Sequence, residues 1–158
     1  MLDEALSTSA KYQNIIQKTF QDPISELLLK NSILTRVQFE TLVIDLLTDI
    51  MSDEKIPFKQ KAYFRRRKVS RGSFSRSLAQ ARSKVIQSIF TIVLLSYIGV
   101  FEARPFDDYY YLAEKLKEYV TLLEERDFSI SKEFLKQIET ELVEGISRLA
   151  TPTSIKIM

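Results

Sequence analysis

The chain has 158 residues, 45% hydrophobic and 28% charged, with three glycines and four prolines. That is the size and balance of one ordinary domain with a buried core, and it argues against a disordered chain and a turn-rich all-β fold. There is no cysteine and no histidine. Their absence excludes disulfides, Cys/His zinc sites, thiol nucleophiles and histidine-based general bases.

The acidic, amphipathic start Met1-Leu2-Asp3-Glu4-Ala5-Leu6 does not have the basic-then-apolar order of a signal peptide. A cytoplasmic location is expected. From Asp3 to Phe20 the apolar residues Leu6, Ile15, Ile16 and Phe20 make an incomplete helical stripe. Asp22-Pro23 is a stop and restart, followed by a short helix over 24–29. Thr35-Arg36-Val37-Gln38 fits a capping box. Behind it Phe39, Leu42, Val43, Leu46, Leu47 and Ile50 recur at three- and four-residue spacing, which predicts that this face of the helix is buried.

The next segment carries the main signal. Eleven cations, Lys55, Lys59, Lys61, Arg65, Arg66, Arg67, Lys68, Arg71, Arg76, Arg82 and Lys84, lie in thirty residues without an Asp or Glu. The rest of the chain holds 12 basic and 21 acidic residues, because 23 − 11 leaves 12. One acidic body therefore carries one basic block. Pro57 suits the first turn of a short helix reaching about Arg67. Val69-Ser70-Arg71-Gly72-Ser73 is expected to break that helix as a tight turn, with Ser73 or Ser70 capping the next one. A long helix then runs from Phe74 towards Ile98, with Phe74, Leu78, Ala81 and Val85 on its core side and Gly99 as its stop.

Residues 57–99 thus resemble the helix-turn-helix of DNA-binding proteins. The resemblance implies that the second helix enters the major groove and that its first residues reach base edges. At those positions stand Ser73, Ser75, Arg76 and Gln80. Arg reads guanine and Gln reads adenine bidentately. Arg65, Arg66, Arg67 and Lys68 are expected on the phosphates, Arg71 adds to site preference, Lys84 shares the helix face of Arg76 and Gln80, and Lys59, Lys61 and Arg82 complete the nucleic-acid-binding set.

From Val85 to Phe101 the chain is uncharged over 17 residues. The expectation is a central core helix wrapped by its neighbours, with a membrane span as the alternative. Two acidic helices follow within 106–150. In the first, Tyr109-Tyr110-Tyr111 is expected to pack in the core and at its rim rather than to stack bases. The last helix starts at Ser129 or Ser131, and a loose tail covers 151–158.

The reading is all-α: one domain over 1–150 of six to seven helices, with an embedded helix-turn-helix-like pair and a long central apolar helix. The expected function is non-enzymatic. It is a DNA-binding transcriptional regulator or chromosome-associated factor, acting as a homodimer on double-stranded DNA, with RNA as the alternative. No catalytic residue, metal site, cofactor or small-molecule substrate is expected. The competing reading is an adaptor whose basic helix pair docks on an acidic protein, an RNA or an anionic membrane surface.

Overall fold

The computed structural model describes residues 2–53, 55–100, 105–126 and 129–150, with side chains within 10–53, 55–100, 107–126 and 129–148. The described residues form seven α-helices and a short 3-10 helix, with no strand among them, so the all-α expectation holds. In chain order these are α1 (Leu2–Gln21), α2 (Pro23–Lys30), α3 (Arg36–Met51), α4 (Phe58–Lys61), the 3-10 turn Ala62–Phe64, α5 (Arg71–Tyr97), α6 (Pro105–Glu125) and α7 (Lys132–Ala150). The chain divides into two compact units, residues 1–87 and 88–158. The tail expected over 151–158 lies outside the described residues.

In the first unit local chemistry sets the helix boundaries. The Asp22 carboxylate accepts from the Ile24 and Ser25 amides at 3.3 and 3.1 Å, and Pro23 opens α2 where its missing N–H costs nothing. Thr35 and Gln38 form the expected capping box. The Gln38 amide donates to Thr35 Oγ1 at 3.3 Å, and the Thr35 amide donates to Gln38 Oε1 at 3.1 Å. The core then gathers Tyr12 and Ile16 of α1, Ile44 of α3, Ala62, and Phe74 and Leu78 of α5. Aromatic rings tie the elements together: Tyr12 meets Phe64 edge-on at 5.8 Å, and Phe58 lies 5.9 Å from Phe74.

Helix α3 does not bury the face its periodicity indicates. Its buried residues are Gln38, Glu40, Thr41, Ile44, Asp45 and Thr48. Leu46 and Ile50 are instead 60% and 69% exposed, while Leu42 and Leu47 pack against the core from the flanks. The reason is electrostatic. Asp45 and Glu40 are held inside by cations of the basic block, and the Thr41 and Thr48 hydroxyls donate back to Val37 O (2.7 Å) and Ile44 O (2.6 Å). A polar face whose carboxylates are paired with cations and whose hydroxyls are bonded can be buried in place of an apolar one.

Two further expectations are corrected here. The short basic helix ends well before Arg67: α4 and the 3-10 turn stop at Phe64, and Arg65 is already extended at φ −61°, ψ 143°. Gly72 is not a turn residue. It sits in the first turn of α5, and among the described residues the positive-φ glycine is Gly99. Ser70 caps α5, its Oγ accepting from the Ser73 amide at 3.1 Å. In place of the helix, tight turn and helix expected from the sequence stand a four-residue helix, a 3-10 turn, bends over 65–67 and an irregular stretch to Ser70.

In the second unit α5 ends on a Schellman motif. The Val100 amide donates to Leu95 O at 3.0 Å and the Gly99 amide to Ser96 O at 3.2 Å, with Gly99 at φ 78°. The uncharged stretch before it is not wrapped by neighbours, contrary to expectation. Phe90 is 70% and Tyr97 76% exposed, and Ile86, Ile89, Val93 and Leu94 are exposed as well. Val85, expected on the core side, is also exposed. Among the described residues α5 is the one helix long and apolar enough to cross a membrane, and little of that stretch is buried. Helices α6 and α7 run antiparallel, since Tyr119 stacks on Phe134 (5.1 Å) while Tyr109 lies against Gly145. Ser131, the second of the two expected starts, caps α7 through the Phe134 amide at 3.1 Å. Tyr110 and Tyr111 of α6 are exposed rather than packed.

Candidate nucleic-acid interface

The thirteen residues expected at the interface separate into two groups. Lys61 and Arg65 depart from that expectation because both are buried. Lys61 is 1% exposed, and its ammonium donates to Asp45 Oδ1 at 2.7 Å and Asp49 Oδ1 at 2.6 Å. Arg65 lies with its Nε 3.6 Å from Glu40 Oε2 and its Nη1 3.3 Å from Thr41 Oγ1. Arg82 extends the same network, its Nη2 2.6 Å from Asp45 Oδ2. Lys84, half-buried, donates to Ile33 O at 2.9 Å. Lys61, Arg65 and Arg82 hold α3 against the segments that follow it, and Lys84 ties α5 to the loop before α3. An acidic surface on the chain's own α3 offsets part of the charge that the sequence concentrates in one block.

The remaining cations face water. Lys59, Arg66, Arg67, Lys68, Arg71 and Arg76 are exposed, and among the described residues no carboxylate pairs with any of them. The bent, irregular connection 65–70 carries Arg66, Arg67 and Lys68 to the start of α5, where Arg71 opens the helix. The Lys68 ammonium sits 5.9 Å from the Tyr63 ring.

Along α5, Phe74, Leu78 and Ala81 are buried, as expected. At 100° per residue the opposite face carries Gly72, Arg76, Ala79, Gln80 and Ser83, all exposed. Ser73, Ser75 and Ser77 are half-buried on its flanks. Arg76 folds back over Gly72: a Cβ at that glycine would lie 3.5 Å from Arg76 Nη1. The small outward residues at 72, 79 and 83 were not singled out from the sequence, although their spacing opposite Phe74 and Leu78 was visible there. They leave Arg76 and Gln80 as the long polar side chains projecting from that face.

Chemically this is a cationic surface leading to a helix face of small residues with Arg76 and Gln80. Neither the acids of α3 nor those of α6 and α7 form a cluster suited to a metal among the described residues. No family model, no curated protein and no solved structure matches the chain.

Proposed function

We propose that the chain is a non-enzymatic nucleic-acid-binding protein that holds duplex DNA on this surface. Lys59, Arg66, Arg67, Lys68 and Arg71 take the phosphates, while Arg76 and Gln80 project towards base edges. The observation that carries the reading is the set of six exposed, carboxylate-free cations on the approach to and first turns of α5. Four internally bound cations do not weaken it. They fix the backbone from which the free ones project.

Regulation of transcription or organisation of a chromosome, in the cytoplasm and as a homodimer, belongs to the same proposal. Support for self-association comes from α5, where Ile86, Phe90, Val93 and Tyr97 recur at four-, three- and four-residue spacing and are all exposed. The test is a mobility shift of labelled duplex with the intact chain at low salt. A shift that fades as salt rises is the expected outcome, and no shift on any duplex contradicts the proposal.

The exposure of the apolar half of α5 also favours a second reading, a basic surface held at a membrane. Flotation with neutral vesicles separates the two. The protein stays at the bottom of the gradient under the first reading and floats under the second.

A further inference from the structure

A cleft of about 550 Å³ opens in the first unit, between α1 and the segment 63–68. This is the size range of sites that take small organic ligands, and far more than an inorganic anion fills. Four cations and two carboxylates set its charge. Arg36 is bound to Glu26 and lies 3.5 Å from Glu40, and Arg65 lies 3.6 Å from the same Glu40. The Arg36 guanidinium also donates to Phe20 O at 3.3 Å, which fixes it beneath the cleft. The carboxylates therefore neutralise the two inner guanidiniums and leave Arg66 and Lys68 as an uncompensated pair among the described residues.

The opposite wall is of different chemistry. Gln13, Gln17 and Gln21 follow one another at four-residue spacing on α1, and all three line the cleft. Each amide offers both a donor and an acceptor, the pattern needed to match the edge of a heterocycle. On the cationic wall Tyr63 presents its ring, 5.9 Å from the Lys68 ammonium. A ligand that suits both walls carries a phosphate at one end and a planar hydrogen-bonding group at the other.

We infer that this cleft binds a nucleoside monophosphate, with its phosphate on Arg66 and Lys68 and its base against the α1 glutamines. Guanidinium–phosphate pairing gives the charged end its strength. The amide ladder gives preference for a base over a bare anion. Arg66 and Lys68 also belong to the proposed nucleic-acid surface, so occupancy is measured on the protein without nucleic acid. Failure here then leaves the earlier proposal standing or falling on its own test.

The experiment is calorimetric titration of the full chain with AMP, GMP, inorganic phosphate and adenosine. One nucleoside monophosphate should saturate each chain, bound more tightly than phosphate or adenosine. Arg66→Ala and Gln17→Leu should each weaken it by about tenfold or more, and Lys136→Ala, in α7, should leave it unchanged. Both altered side chains are exposed, and unchanged circular dichroism verifies folding. Absence of saturable binding, phosphate binding as tight as the nucleotides, or equal losses in Arg66→Ala and Lys136→Ala would each overturn the inference.

Discussion

Lys59 and Lys61 stand two positions apart in the same basic run, yet their environments differ in kind. Lys61 is enclosed with Asp45 and Asp49, whereas Lys59 is exposed and has no carboxylate partner among the described residues. Removing Lys61 leaves the buried Asp45 carboxylate with the half-exposed Arg82 as its remaining cation, a loss of roughly 1.5–3 kcal/mol, smaller than for a fully stranded charge. Lys61→Ala is therefore expected to lower the urea midpoint sharply, while Lys59→Ala changes stability by less than about 0.5 kcal/mol. Equal midpoints for the two variants would contradict the internal role of Lys61. The opposite contrast holds for binding. Each lost phosphate contact should reduce the slope of log affinity against log salt by about 0.9, so Arg66→Ala or Lys59→Ala should flatten it by that amount. The sequence revealed the charge of these residues but not their partners, because Asp45 and Asp49 lie 16 and 12 positions upstream of Lys61.

Helix ends were the most legible elements, because their signals are local. The Asp22-Pro23 restart, the Thr35/Gln38 capping box and the Gly99 stop each depend on residues within five positions of one another. Thr35→Ala should cost about 1 kcal/mol by freeing the Gln38 amide, read as a lower midpoint in denaturant. Gly99→Ala should cost about 1–2 kcal/mol, since an alanine does not favour φ 78°; an unchanged thermal midpoint would show that the C-terminal motif is not formed. Helix α3 was misread at the level of its faces. Its leucines and isoleucine repeat at helical spacing, but so do Thr41, Ile44, Asp45 and Thr48 on the other side, and only the distant cations decide which side is buried. The turn expected at Gly72 failed for a similar reason. Burial of Arg65 ends the 3-10 turn early, and Ser70 then caps α5 before the glycine is reached.

At the scale of the whole molecule, the acidic and basic parts of the sequence are partly interlocked rather than separate. The acids of α3 take up Lys61, Arg65 and Arg82, and what remains is a smaller and better defined cationic surface than the composition implied. The all-α class was readable from the scarcity of glycine and proline. The environment of residues 85–98 was not, because an uncharged helix satisfies the patterns of a core helix, a membrane span and an interface alike. If two copies meet along α5, Phe90→Asp should shift sedimentation from dimer to monomer at micromolar concentration without loss of helicity; a wild-type monomer at every concentration would contradict self-association. The central claim is that five exposed cations grip a nucleic-acid backbone, and anisotropy of a fluorescent duplex titrated at about 50 and 200 mM salt tests it most directly. Affinity should fall by about five-hundredfold between the two conditions, as five phosphate contacts require, and Arg76→Ala should relax base preference on top of that. No binding at the lower salt, or affinity indifferent to salt, would contradict it.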